Sequence, residues 1–394
     1  MLVQTAANDR IEPNAVVEFA ARPKLYVVIA FYLECWNKPP ELQSRLRILV
    51  RVCPMKILKR LSPLFLKACV TATVLASSAS ADGEFGYEVE LDVPYGKGVI
   101  SSDGALVERD LLLDVYTPSS NNADYTGSIA NTDTLKPAVI LIHGGGFQRG
   151  GRRQAPYTEF DAIHGRMEDY AHLLTPLGYV VFVIEYRLAP ELPEPEMALD
   201  ADWVVTIEED LTDAGMRRVN SARGALGLGP LEGDEGKVVV WKTILSAAED
   251  LEKAVDFVRS SSERFGIDPE RIALGGHSAG AATVINTAHG LDAPVTAIFP
   301  LSPPLSAIDL SKTVTTPDET PTLHVISQYD EPAVLEKAPG FTAAMRNAGA
   351  DYELVWIPGF PHFYPHNTPS LSDDGTRQAL SARLIEFLDK YLRQ

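Results

Sequence analysis

RIALGGHSAGAATVINTA, residues 271–288, packs a strand, a sharp turn and a helix into one short stretch. Arg271 to Leu274 is an apolar run of strand length, and AATVINTA (281–288) reads as an apolar helix. Between them, Gly276-His277-Ser278-Ala279-Gly280 fits the pattern G-x-S-x-G. A serine on so tight a strand-to-helix turn needs flanking glycines to avoid clashes, and the turn leaves its hydroxyl exposed. The start of the helix beneath it brings amide donors close to any negative charge that develops there. The five-residue pattern alone arises by chance; at a strand–helix junction it marks Ser278 as a nucleophile.

Upstream, PAVILI (137–142) is a second apolar run, and His143-Gly144-Gly145-Gly146-Phe147 follows it directly. A glycine run lets bare backbone N–H groups point at a substrate oxygen that side chains would otherwise screen. A flexible turn after a strand would look the same in isolation. Two glycine motifs at the ends of two such strands, in this order, argue for the chemical reading.

The surrounding chain supports the same architecture. GYEVELDVP (86–94) and DLLLDVYT (110–117) alternate apolar and polar residues, as half-buried antiparallel strands do. The Gly-Lys-Gly and Ser-Ser-Asp-Gly punctuation between them predicts a hairpin with a long turn. Residues 179–185, 295–299 and 322–326 join 137–142 and 271–274 as nearly continuous apolar runs, the mark of parallel strands covered on both faces. Helices are expected at 159–175, 245–265, 279–289, 333–348 (stopped by Gly349) and 374–392. An antiparallel start followed by strand–helix alternation predicts a mostly parallel, doubly wound α/β sheet.

One stretch breaks this rhythm: about 55 residues, 190–244, stand where a short connection would do. The expectation is an inserted lid, partly helical over 195–220, with a flexible glycine-rich tip at 224–236. Its glycines follow no strand and lack the spacing of a nucleotide-binding loop.

With these motifs together, the chain resembles carboxylesterases of the α/β-hydrolase superfamily, close to the hormone-sensitive-lipase-like and bacterial feruloyl-esterase-like branches. LDVYTP (113–118), HGGGF (143–147), YRLAPE (186–191), GIDPERIALGGHSAG (266–280) and GFPHFY (359–364) carry the resemblance, which spans about residues 86–392. It implies an α/β-hydrolase fold and an oxyanion hole built from the backbone N–H groups of Gly145, Gly146 and Ala279. It also implies the chain order nucleophile, acid, histidine. Of the eight histidines, His362 and His366 follow YELVWI, the last expected strand. His362, in G-x-x-H-x-Y, is the expected base and His366 the alternative. The acid falls after TLHVI, where Asp330 fits by residue type and Glu331 by spacing to Val334. Asp330 is preferred. Ser278 and Asp330 stand only 52 positions apart, so the lid role passes to the 190–244 insertion. YRLAPE is assigned a structural task, fixing the end of its strand through Arg187.

Composition sets the boundaries of the reading. The 394 residues are 45% hydrophobic, with a formal net charge of −18, and no apolar run is long enough to span a membrane. From Met55, KILKRLSPLFLK and ACVTATVLASSASA give a basic start, an apolar middle and an Ala79-Ser80-Ala81 end. That order predicts a signal peptide over 55–81, cleavage before Asp82, and a secreted or periplasmic catalytic domain over 82–394. Residues 1–54 hold no legible module, and translation is expected to start at Met55. Cys35, Cys53 and Cys69 all precede the cleavage point, so the mature chain would hold no disulfide, no thiol nucleophile and no cysteine metal site. It would carry 24 basic against 48 acidic residues, a surface that repels nucleic acid and anionic membranes.

The expected reaction is hydrolysis of short-chain or aryl esters through an acyl-enzyme, with no metal and no organic cofactor. An amide-cleaving enzyme, peptidase or arylformamidase, could use the same triad. A binding module on a hydrolase scaffold would lack turnover. The natural ester and the oligomeric state are not legible.

Overall fold

Valine, isoleucine and leucine crowd the middle of the chain in runs with no polar alternation, and such strands are stable only when both faces are covered. The computed structural model describes residues 86–119, 135–155 and 166–393 in full, and 15–22, 25–35, 44–54, 158–159 and 162–163 as backbone. The expected signal segment, 55–81, lies outside the described residues. The chain divides into two units, Met1–Asp82 and Gly83–Gln394.

In the first unit, β1 (Ala15–Arg22), β2 (Leu25–Cys35) and β3 (Ser44–Pro54) pair antiparallel in that order. The sequence suggested no module here. The pairing follows from β-branched and aromatic residues such as those of LYVVIAFYLEC.

The second unit is built on an 11-stranded sheet. Its strands are β4 (Tyr87–Ser102), β5 (Ala105–Pro118), β6 (Lys136–Ile142), β9 (Val180–Ile184), β10 (Pro193–Glu194), β11 (Ile267–His277), β12 (Ala297–Leu301), β13 (Thr322–Tyr329), β14 (Tyr352–Pro361), β15 (Pro369–Ser372) and β16 (Arg377–Ala379). Residues 158–159 (β7) and 162–163 (β8) form a separate two-residue ladder. The spatial order is β10-β4-β5-β9-β6-β11-β12-β13-β14-β15-β16. The run from β9 to β14 is parallel throughout, and the strands beyond it on both sides are antiparallel.

Alternate residues of the central strands enter two cores. Ala138, Ile140 and Ile142 face one, with the long helix of the insertion, while Val139 and Leu141 face the other, with the C-terminal helix. All five are fully buried. The principal helices are α1 (Met167–Leu174), α2 (Asp213–Ala225), α3 (Gly233–Ser260), α4 (Ala279–Ile285), α5 (Pro332–Ala348) and α6 (Leu380–Leu392). Among the described residues, no helix is long and apolar enough to cross a membrane.

Several expected boundaries move, each for a local reason. The hairpin turns tightly at Asp103-Gly104, both with positive φ (51° and 79°), a turn whose twist matches that of paired strands. The expected long turn is therefore absent, and Gly96-Lys97-Gly98 stays inside β4. The helix expected from 159 starts at Met167, where the Asp169 carboxylate accepts a 3.0 Å bond from the Arg166 amide. In the insertion, 195–220 is partly helical as expected, with helix over Ile207–Asp210 and from Asp213 on to Ala225, while α3 begins at Gly233, inside the expected glycine-rich tip. There Gly236 packs against the Leu231 backbone, where a Cβ would sit at 2.6 Å. The helix expected over 279–289 ends as a π turn over Asn286–Gly290. At the C-terminus, 377–379 pairs with β15 before α6 begins.

Arg187, of YRLAPE, is fully buried where β9 ends. Its guanidinium binds Asp250 at 2.8 Å and Glu249 at 2.9 Å on α3, and donates to the Val99 and Glu194 carbonyls at 3.1 and 2.8 Å. One cation thus ties the parallel sheet, the outer hairpin and the insertion together. Arg187→Ala strands two buried carboxylates and is expected to cost roughly 3–5 kcal/mol of stability. Urea denaturation checks this, and an unshifted midpoint would contradict it.

Candidate active site

The turn bearing Ser278 has the geometry that its glycines allow. Ser278 sits at φ 56°, ψ −120°, between β11 and the first residue of α4. A Cβ at Gly276 would lie 2.5 Å from the Gly280 carbonyl, and one at Gly280 would lie 2.4 Å from the Ile142 oxygen. Neither backbone can retreat, because both belong to the packed sheet or its adjoining helix. The strain at Ser278 is held by bonds from its amide to the Leu301 oxygen (2.9 Å) and from the Ala282 amide to its own carbonyl (3.0 Å).

His362 reaches this hydroxyl from the loop after β14. Ser278 Oγ and His362 Nε2 are 2.8 Å apart, and His362 Nδ1 lies 2.5 Å from Asp330 Oδ1. With Nδ1–H donated to the carboxylate, Nε2 is left to accept the serine proton. The second oxygen of Asp330 accepts from the Ser302 hydroxyl and, at 2.9 Å, from the Ser327 amide. Tyr364 Oη in turn lies 3.0 Å from Ser302 Oγ and supplies that oxygen with a donor. Burial works to raise the Asp330 pKa, but the bonds from His362, Ser302 and Ser327 outweigh it and hold the carboxyl at about 2. Asp330 therefore stays anionic across any neutral working range.

The glycine loop lies beside the same turn. Gly145 and Gly146 adopt φ 121° and 62°. A Cβ on Gly145 would fall 2.0 Å from the Arg149 oxygen, so only glycine fits there. The loop is closed by a 3.1 Å bond from the Gln148 amide to the Gly145 carbonyl. His143, stacked on Tyr186 at 4.4 Å, has its pKa lowered to about 4 by burial and is neutral at physiological pH. Arg152, just after the loop, binds Asp114, Asp92 (2.9 Å) and Glu185 (3.1 Å), fastening the loop to the hairpin.

Of the residues expected from sequence, Ser278, His362 and Asp330 are brought into one hydrogen-bonded line. His366 is not; it packs edge-on against Tyr170, with ring centroids 5.7 Å apart. Glu331 is not bonded to Nδ1. Its carboxylate lies 3.9 Å from His362 Nε2 and pairs instead with Arg218 of α2, at 2.8 Å. Ser302, Tyr364, Arg218 and Gln148 were not singled out by sequence. Tyr364 alone lay inside a motif, as the last residue of G-x-x-H-x-Y.

The insertion crosses to both sides of this site. Arg218 holds Glu331, Arg223 donates to Gln148 Oε1 at 2.9 Å, and Asp210 receives Lys337 of α5 at 2.7 Å.

No protein-family model matches the chain. Over 211 residues it is 24% identical to neuroligin-like protein glit-1 of Caenorhabditis elegans, a match covering 53% of this chain and 19% of that protein. Among solved structures, it resembles Thermogutta terrifontis esterase 2 phosphorylated by paraoxon, at 17% identity and a TM-score of 0.44, over 79% of this chain and 95% of that one. Esterase B of Lactobacillus rhamnosis aligns at 15% identity and a TM-score of 0.41, over 75% and 82%. What decides the fold is the strand order here, with the strained serine at the C-terminal end of a central parallel strand. It is an α/β-hydrolase fold. As in that fold generally, the strand-to-helix turn and the loop after a neighbouring parallel strand face each other, here the end of β11 and the end of β6.

Proposed function

We propose that the chain is a serine carboxylesterase that hydrolyses short-chain or aryl esters through an acyl-enzyme. The observation that carries the reading is the 2.8 Å contact of Ser278 Oγ with His362 Nε2 on a strained strand-to-helix turn. His362 takes the serine proton as Oγ attacks the ester carbonyl carbon. Asp330 keeps the ring in the tautomer that leaves Nε2 unprotonated, and stabilises the imidazolium that forms. The backbone amides of Gly145, Gly146 and Ala279 receive the oxyanion. His362 then protonates the departing alkoxide. Water, deprotonated by the same nitrogen, attacks the acyl carbon, and Ser278 leaves with the proton restored.

The preference for small acyl groups is supported by the insertion, whose helix α2 buries only Met216 and Ala222 and is anchored through Arg218 and Arg223. Export is supported by the basic, apolar and Ala-Ser-Ala segments in order over 55–81. The test compares p-nitrophenyl esters of increasing chain length with the matching anilides. Turnover is expected on acetate and butyrate esters, falling with longer chains and negligible on anilides. Efficient anilide cleavage would instead make the enzyme an amidase. N-terminal sequencing of the exported protein is expected to begin at Asp82, and a peptide from 1–54 in that material would refute processing there.

A further inference from the structure

We propose that Arg218, on the inserted helix α2, is a positioning residue that sets the charge around the catalytic base by holding the Glu331 carboxylate. The inference rests on the esterase reading, since it concerns the same His362.

The groups facing the imidazole can be taken in turn. Asp330 occupies Nδ1, and its charge is shared among bonds from His362, Ser302 and the Ser327 and Glu331 amides. From β11, His277 Nε2 donates to the His362 carbonyl oxygen at 2.9 Å, with the two rings 5.0 Å apart. Tyr364 meets Ser302 through its hydroxyl and the His277 ring edge-on at 5.8 Å. A second carboxylate among the described residues, that of Glu331, lies 3.9 Å from Nε2, the nitrogen that must be unprotonated to activate Ser278.

A second carboxylate at that distance favours the imidazolium and competes with the serine hydroxyl for Nε2. Glu331 is mostly buried, so solvent screens this influence weakly. Arg218 answers it: Nε and Nη2 both donate to Glu331 Oε1, at 3.1 and 2.8 Å. The same oxygen is the one nearest Nε2, so the guanidinium neutralises the relevant atom. The base is thereby coupled to the insertion, because Arg218 comes from a helix that also touches Gln148 of the glycine loop through Arg223.

The experiment is the pH dependence of kcat/KM for p-nitrophenyl acetate in the full chain and three variants. Arg218→Ala leaves Glu331 uncompensated and is expected to move the acid limb upward by roughly one pH unit. Glu331→Gln removes the carboxylate 3.9 Å from Nε2 and is expected to move it downward. The double variant, lacking both charges, is expected to return close to the parent. Opposite shifts with mutual rescue are beyond what loosened packing would give. An acid limb unmoved by both single variants, shifts of the same sign, or a double variant that fails to return would each overturn the proposal. Absence of ester turnover in the parent, or turnover surviving Ser278→Ala, would overturn the esterase reading instead.

Discussion

Ser278→Ala is expected to reduce kcat on p-nitrophenyl esters by roughly a millionfold, leaving only what binding and backbone donors contribute. In the proposed reaction the serine supplies the covalent step, and Ser302 cannot replace it, since it donates to Asp330 rather than meeting His362 Nε2. The substitution should leave stability almost untouched, because the strain of the turn belongs to the backbone at φ 56°. An alanine there meets the same penalty as the serine. A paraoxon-treated parent should gain a phosphoryl mass on the peptide containing Ser278, and the variant should gain none. Persistent turnover with unchanged KM would place the nucleophile elsewhere.

Asp330→Asn is the second large effect, a loss of about 10⁴-fold in kcat with little change in KM. An amide can offer N–H to Nδ1, which forces the proton onto Nε2 and removes the lone pair that Ser278 needs. It also discards the charge that stabilises the imidazolium. Glu331 is poorly placed to substitute, because its carboxylate lies on the Nε2 side of the ring and is engaged by Arg218. Stopped-flow measurement of acylation and deacylation separates the two halves of the cycle. Both should slow, since the proposed reaction uses His362 as base in each.

The strands and the strand-to-helix turn at Ser278 were legible because they are local: apolar runs, glycine spacing and a helix start lie within a few residues of one another. HGGGF and G-x-S-x-G depend on backbone geometry that only glycine tolerates, so residue identity reports it directly. The choice between Asp330 and Glu331 was not legible in that way. It turns on which carboxylate points at Nδ1, and that follows from bonds to Ser302 and Ser327, residues with no sequence mark of their own. The insertion was visible as an over-long connection. Its helix boundaries were misplaced because glycines at 224–236 suggested flexibility, whereas Gly236 serves a close contact with the Leu231 backbone. Arg218 could not be found from sequence, since its partner lies 113 positions away.

The borders of the large sheet carry a consequence for crowding. Its border strand β10 is two residues long and covers only Val99 and Ile100 of β4, which bears Glu88, Glu90, Asp92 and Lys97, contains Pro94, and breaks register between Glu90 and Val93 and again between Pro94 and Gly96. The opposite border, β16, is three residues long. Neither side offers an uninterrupted ribbon of free amides onto which another copy could zip. Growth of this sheet by strand addition is therefore disfavoured at both of its margins.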